Sequence, residues 1–156
     1  MSNIQWEVKT FQQLTVDQLF DVLQLRVDVF VVEQQCSYSE LDTLDRHGET
    51  RHLTGYDGNR QLIAYTRILG PGQRYPEVGI GRFVVKAEFR KQGIGHQLIQ
   101  KALQEISTRW PQTPVKIAAQ GYLHRFYAQY GFTEVSDGYL EDGIPHVEMV
   151  RTSFKA

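Results

Sequence analysis

Phe83-Val84-Val85-Lys86-Ala87-Glu88-Phe89-Arg90-Lys91-Gln92-Gly93-Ile94-Gly95-His96 is the stretch on which the fold turns. It opens β-branched and aromatic, the end of a strand predicted over Val78 to Lys86. A turn follows, and Ile94, Leu98, Ile99, Ala102, Leu103 and Ile106 then recur at helical spacing until Pro111 stops the pattern. A strand leading through glycines into a helix is either a plain turn or an anion-binding arrangement. Gly93 and Gly95 let the backbone approach a ligand closely, and the first N–H groups of the helix lack carbonyl partners, so they face an anion with the helix dipole behind them. Arg90 and Lys91 add local positive charge. The Gly-Lys-Ser/Thr of a Walker loop is absent, as is a third glycine near Ile99 that a dinucleotide fingerprint would want.

Working outward, Ile4 to Val8 alternates as a half-buried strand, and Thr15 with Gln18 has capping-box spacing ahead of Val16, Leu19, Phe20, Leu23, Val27, Phe30 and Val31. This spacing predicts one helix over about 16–34. Cys36 to Thr50 is a polar connection long enough to be a functional loop. His52 to Tyr56 and Gln61 to Leu69 flank Asp57-Gly58-Asn59 and form a hairpin. Val115 to Ala119 is a strand, and Tyr122 to Tyr130 an aromatic helix ended by Gly131. Phe132 to Ser136 and Pro145 to Arg151 are strands joined through the turn-rich stretch Asp137 to Gly143. The expected fold is an α/β single domain over residues 1–156.

Composition agrees with one ordinary core: 156 residues, 41% hydrophobic and 22% charged, which excludes disordered, collagen-like and coiled-coil chains. The net charge of −1, with Lys and Arg scattered, gives no footprint for nucleic acid. No apolar run reaches the roughly 20 residues that span a bilayer, so no membrane partner is expected. One cysteine, Cys36, cannot form an intrachain disulfide, and Met1 to Thr10 lacks a leader's basic and apolar regions, so a reducing, cytoplasmic setting is expected.

Arg90-Lys91-Gln92-Gly93-Ile94-Gly95 resembles the Arg/Gln-x-x-Gly-x-Gly/Ala signature of the Gcn5-related N-acetyltransferase (GNAT) superfamily, and Phe126-Tyr127-Ala128-Gln129-Tyr130-Gly131-Phe132 resembles its second signature. Leu25 to Gln34, Arg51-His52, Ala64 to Leu69, Ile80-Gly81-Arg82 and Asp142 to His146 are similar to the ElaA-like branch. The resemblance implies a mixed, mostly antiparallel central sheet flanked by helices, with acetyl-CoA as acyl donor and an amine-bearing small molecule or peptide as acceptor. It places the pantetheine arm along Phe83, Val84 and Val85, the Val85 N–H as oxyanion donor, and the pyrophosphate on Arg90, Lys91, Gln92, Gly93, Ile94, Gly95 and His96. A homodimer is expected because this superfamily often pairs.

Acetyl transfer also needs a proton returned to the thiolate and one taken from the amine. Tyr127 is the candidate acid, since a phenol stays protonated at neutral pH; the alternative is core packing among Phe126 and Tyr130. Glu33 is either a solvated helix-end carboxylate or one that binds an ammonium or takes its proton. Water carries that proton where no side chain does. Arg26, His52, Arg67 and His146 are candidate substrate contacts, each with a structural alternative as a paired charge or a satisfied histidine. His47 and His52 with Asp42 and Asp45 lack zinc spacing, so no metal is expected. Two other readings stand beside the enzyme: an acyl-CoA-binding regulatory module without turnover, and an acyl-homoserine-lactone synthase, suggested by Arg26-Val27-Asp28-Val29-Phe30 but lacking the tryptophan those enzymes carry next.

Overall fold

A computed structural model of the chain describes residues 3–152. Thr15 and Gln18 form the expected capping box, each side chain taking the other's backbone N–H at 3.0 Å, and open helix α1 (Val16–Arg26). The chain then departs from the single α-helix that the apolar spacing predicts. Val27–Glu33 winds as a π-helix, with Gln34 N donating to Val29 O and Cys36 N to Val31 O, both at 3.1 Å. Val27, Val29, Val31 and Val32 in this segment are β-branched, which lowers its preference for ordinary α winding. In the following connection only Thr43–Arg46 forms a short 3₁₀ turn.

The strands are β1 (Gln5–Lys9), β2 (Arg51–Tyr56), β3 (Leu62–Leu69), β4 (Val78–Val85), β5 (Val115–Gln120), β6 (Phe132–Glu134), β7 (Tyr139–Glu141) and β8 (Ile144–Arg151). They form one sheet in the order β1-β2-β3-β4-β5-β8-β6, with β7 also on β8. Every pairing is antiparallel except β4 with β5. β7 lies inside the stretch expected to be only a turn. That turn is just Asp142-Gly143, with φ of +52° and +80°, which closes a tight hairpin onto β8.

Helix α2 (Ile94–Arg109) packs Ile94, Leu98, Ile99, Ala102 and Ile106 on one face of the sheet, against Ile68, Val78, Ile80 and Ile117. Val22, Leu25 and Val29 cover the other face over Tyr56, Tyr65 and Val84. Helix α3 (His124–Ala128) follows a 3₁₀ turn, and Gly131, at φ +89°, takes the left-handed position just after it. β4 thus has a helix on each face and a parallel neighbour at its edge, which sets up the site.

Candidate active site

β4 and β5 pair only at Val78–Val115, Gly79–Lys116 and Ile80–Ile117, although both strands continue. Beyond Ile80 they part, leaving a fork whose inner edges carry backbone groups unpaired across the gap. β4 also bulges here. Against β3, Gly81 faces Arg67 but Val84 faces Tyr65, so one extra residue is inserted, and Arg82 sits in it at φ +51°. Lys86 N then donates to Ile63 O of β3 at 2.8 Å. Because successive strand amides alternate sides, Val85 turns its N–H away from β3 and into the fork.

The fork opens into a cavity of about 800 Å³. At one end lies the start of α2, where Gly93 holds φ +81° and no side chain caps the helix. The N–H groups of the first turn are therefore presented to the cavity, the condition for holding a phosphate-like anion. Of the residues expected to hold a cofactor, Phe83, Val84, Val85, Arg90, Lys91, Gly93, Ile94, Gly95 and His96 line this cavity, while Gln92 does not. His96 Nδ1 pairs with the Tyr130 hydroxyl at 2.5 Å.

Arg90 is already engaged. Its Nε donates to Val85 O at 2.9 Å, and its two Nη atoms grip both oxygens of Glu33 at 2.7 and 3.0 Å. The guanidinium holds the Glu33 carboxyl below the usual carboxylate range. Glu33 lines the cavity as expected, but an anion clasped in this way is a weak proton acceptor.

Tyr127 lines the cavity from α3, with its ring edge-on to Phe83 at 5.7 Å and to Phe126 at 5.2 Å. It is 5% exposed, and burial pushes its phenol well above the ordinary tyrosine range. Among the described residues its hydroxyl has no hydrogen-bond partner of its own. It therefore keeps its proton at neutral pH.

The cavity wall also includes Val29, Phe30, Cys36, Tyr38, Asp42, Arg67, Arg82 and His146. His146 stacks on Tyr139 and pairs its Nδ1 with Ile144 O at 2.7 Å. Arg67 reaches the cavity while its Nη1 binds Asp42 and Asp45 at 2.7 and 2.9 Å. The structure does not bring the other two expected substrate contacts to this surface. Arg26 is wholly buried, donating to Glu40 Oε2 and Asp45 Oδ1 at 2.7 Å each, and neither carboxylate comes from its own helix. His52 is 1% exposed, between the Tyr65 hydroxyl at 2.6 Å and Asp45 O at 3.0 Å. A carbonyl can only accept, so a neutral ring carries its proton on Nε2 and takes the tyrosine proton's bond on Nδ1. Burial lowers its pKa, which keeps it neutral. A charge or imidazole under an apolar helix must be paired, and here the pairing consumes both groups.

Sequence alone gives Glu40 no role and offers Asp42 and Asp45 only as neighbours of His47 and His52 in a metal arrangement it does not support; of the three, Asp42 lines the cavity. They lie in an aperiodic loop, 14 to 42 residues from the arginines they bind. Their one sequence signal is their number in a connection next to a helix that carries a mid-face arginine. No three His, Cys, Asp or Glu side chains among the described residues are grouped to hold a metal ion, and no helix among them is long and apolar enough to cross a membrane.

Comparison with known proteins follows the same lines. The family model described as acetyltransferase (GNAT) domain matches residues 21–153. The protein ElaA of Escherichia coli is 42% identical over 153 residues, covering 98% of this chain and 99% of its own. Its crystal structure superposes with a TM-score of 0.90. The crystal structure of an acyl-CoA N-acyltransferase from Pseudomonas aeruginosa is 46% identical, covers 96% of this chain and 99% of its own, and superposes with a TM-score of 0.91.

Proposed function

Because this chain belongs to the GNAT acetyltransferase family, in its ElaA-like branch, we propose that its cavity moves an acetyl group from acetyl-CoA to a primary amine in a single ternary complex. The observation that carries the reading is the fork: a gap between β4 and β5 with unpaired backbone groups, ending on the uncapped N-terminus of α2. A ligand with an amide-bearing arm and a pyrophosphate matches both halves of that surface.

The amine nitrogen attacks the thioester carbon, and the Val85 N–H receives the developing oxyanion. As the C–S bond breaks, Tyr127 gives its proton to the sulfur and recovers one from solvent. The amine proton leaves through water, since Glu33 is held as a low-pKa anion by Arg90. Glu33 and Arg90 instead fix the Val85 end of β4, and Arg67 and His146 face the acceptor. A homodimer in the cytoplasm is part of the same reading.

The test is isothermal titration with acetyl-CoA, with desulfo-CoA and ATP as controls. Micromolar binding of acetyl-CoA with much weaker ATP is expected, followed by thiol release in an amine screen. Absence of binding would reduce the glycine loop to a turn. Binding, with a raised melting temperature but no thiol release from any amine, would make the protein a CoA-binding module.

A further inference from the structure

The bulge in β4 decides what the Val85 N–H does. Were β4 to run on from Gly81–Arg67 with the same residues but no bulge, Val85 would stand opposite Ile63, where Lys86 now stands. Its N–H would then be consumed by Ile63 O rather than turned into the fork. The extra residue is not a glycine. Arg82 holds φ at +51°, a conformation that side-chain-bearing residues keep only where their surroundings enforce it.

Those surroundings are specific. Thr66 Oγ1 donates to Gly81 O at 2.8 Å, taking a carbonyl that the broken ladder leaves over. Arg82 donates through Nε to Glu40 Oε2 at 2.7 Å and through Nη2 to Glu40 O at 3.1 Å, so the side chain and backbone of one residue are gripped together. Glu40 is 4% exposed and has little freedom to yield: Arg26 Nε shares its Oε2 at 2.7 Å, and the Tyr38 hydroxyl donates to its Oε1 at 2.7 Å. Arg82 also lines the cavity.

From this geometry we propose that Glu40 and Arg82 are positioning residues for acyl transfer: the buried carboxylate holds the β4 bulge, and the bulge aims the Val85 N–H at the thioester carbonyl. The inference rests on the acetyl-CoA reading above. It adds that the loop after the π-helix, through Glu40, sets the geometry of the oxyanion donor.

The experiment compares the parent with Arg82→Gly, Arg82→Lys and Glu40→Gln. Acetyl-CoA labelled with ¹³C at the acetyl carbonyl is the probe, read by titration for affinity and by difference infrared spectroscopy for the carbonyl stretch. In the parent the bound carbonyl absorbs at lower frequency than free acetyl-CoA, because an N–H donates to it. Arg82→Gly tolerates the positive φ and so removes the grip without adding strain. It is expected to bind within about threefold of the parent while losing at least half of the frequency shift. Arg82→Lys keeps the charge but not the two-pronged grip, and should lose the shift as well. Glu40→Gln is the severe variant; if it fails to fold, the glycine variant decides the matter. An unchanged shift in Arg82→Gly overturns the proposal, as does a parent that binds acetyl-CoA without any shift. A parent that does not bind at all sinks the cofactor reading first and the positioning role with it, so the two failures are distinguishable.

Discussion

Replacing Arg26 by Met tests the buried ion cluster directly. The guanidinium makes four hydrogen bonds, at 2.7 Å to Glu40 Oε2 and Asp45 Oδ1, 3.1 Å to Glu40 O and 3.2 Å to Asp45 Oδ2. Methionine fills much of the volume but leaves the three carboxylates Glu40, Asp42 and Asp45 with only Arg67 and Arg82. Breaking a buried pair costs about 3–5 kcal/mol. The low end applies here, because Asp45 keeps Arg67 at 2.9 Å and Glu40 keeps Arg82 at 2.7 Å. A loss of about 3 kcal/mol in a chain of this size lowers Tm by roughly 6–12 °C.

The pH dependence is the sharper part of that test. In the parent, burial works against the Asp45 anion, but the hydrogen bonds and charge of Arg26, with the charge of Arg67, prevail and bring its pKa to about 2 from 3.8. A depressed carboxylate stabilises the fold above its unfolded pKa and loses that contribution as pH falls, here between about 4 and 2. Without Arg26 the depression shrinks to what Arg67 and the Asp42 backbone N–H sustain, so the variant has less stability to lose over that fall. Thermal melts of both proteins from about pH 2.5 to 7 should therefore show a gap that narrows as pH falls below about 4. A Tm within about 2 °C of the parent at pH 7, or a gap independent of pH, would refute the reasoning.

The other expectations are more direct. Tyr127→Phe should lower turnover by about 10²-fold with acetyl-CoA affinity held within threefold; equal rates would remove the phenol from the mechanism. Gly93→Val forces a β-branched residue to φ +81° and should weaken acetyl-CoA by about tenfold or more in the titration, whereas unchanged affinity would mean that the helix start does not touch the cofactor. Glu33→Gln should leave the pH–rate profile in place, because the carboxylate is not the base; losing its acidic limb would restore Glu33 to that role. Its effect on Tm should be small, since the partly exposed pair with Arg90 is worth less than about 1 kcal/mol after solvent screening.

What could be read from the sequence was whatever has a period or a motif. α2, β4 and the glycine turn follow from apolar spacing and from residues that only certain backbones tolerate, and they locate the cofactor end of the cavity. The aim of the Val85 N–H was expected only through a family resemblance. Its physical cause is the parity change at Arg82, and an arginine bears no mark of a bulge. β7 escaped because three residues are too few to display alternation. Arg26 and His52 were expected at the substrate because a polar group in an apolar run reads equally as a site or as a buried partner. The choice depends on Glu40, Asp45 and Tyr65, which only folding brings near. Gln92 belongs to the signature but does not line the cavity.

The π-helical winding of Val27–Glu33 separates two ends that α winding would bring together. Arg26 and Glu33 are seven residues apart, and in continuous α turns such residues share one face. With more than four residues per turn, the same seven no longer complete two turns. One end can then be sealed under the sheet while the other, 45% exposed, reaches across to Arg90. An apolar exchange at exposed Val32 disturbs neither end. Rewound as an α-helix with the same seven residues, the segment would carry Glu33 back to the face of Arg26 and toward the interior. The wider winding lets one short stretch serve a buried ion cluster at one end and the cavity at the other.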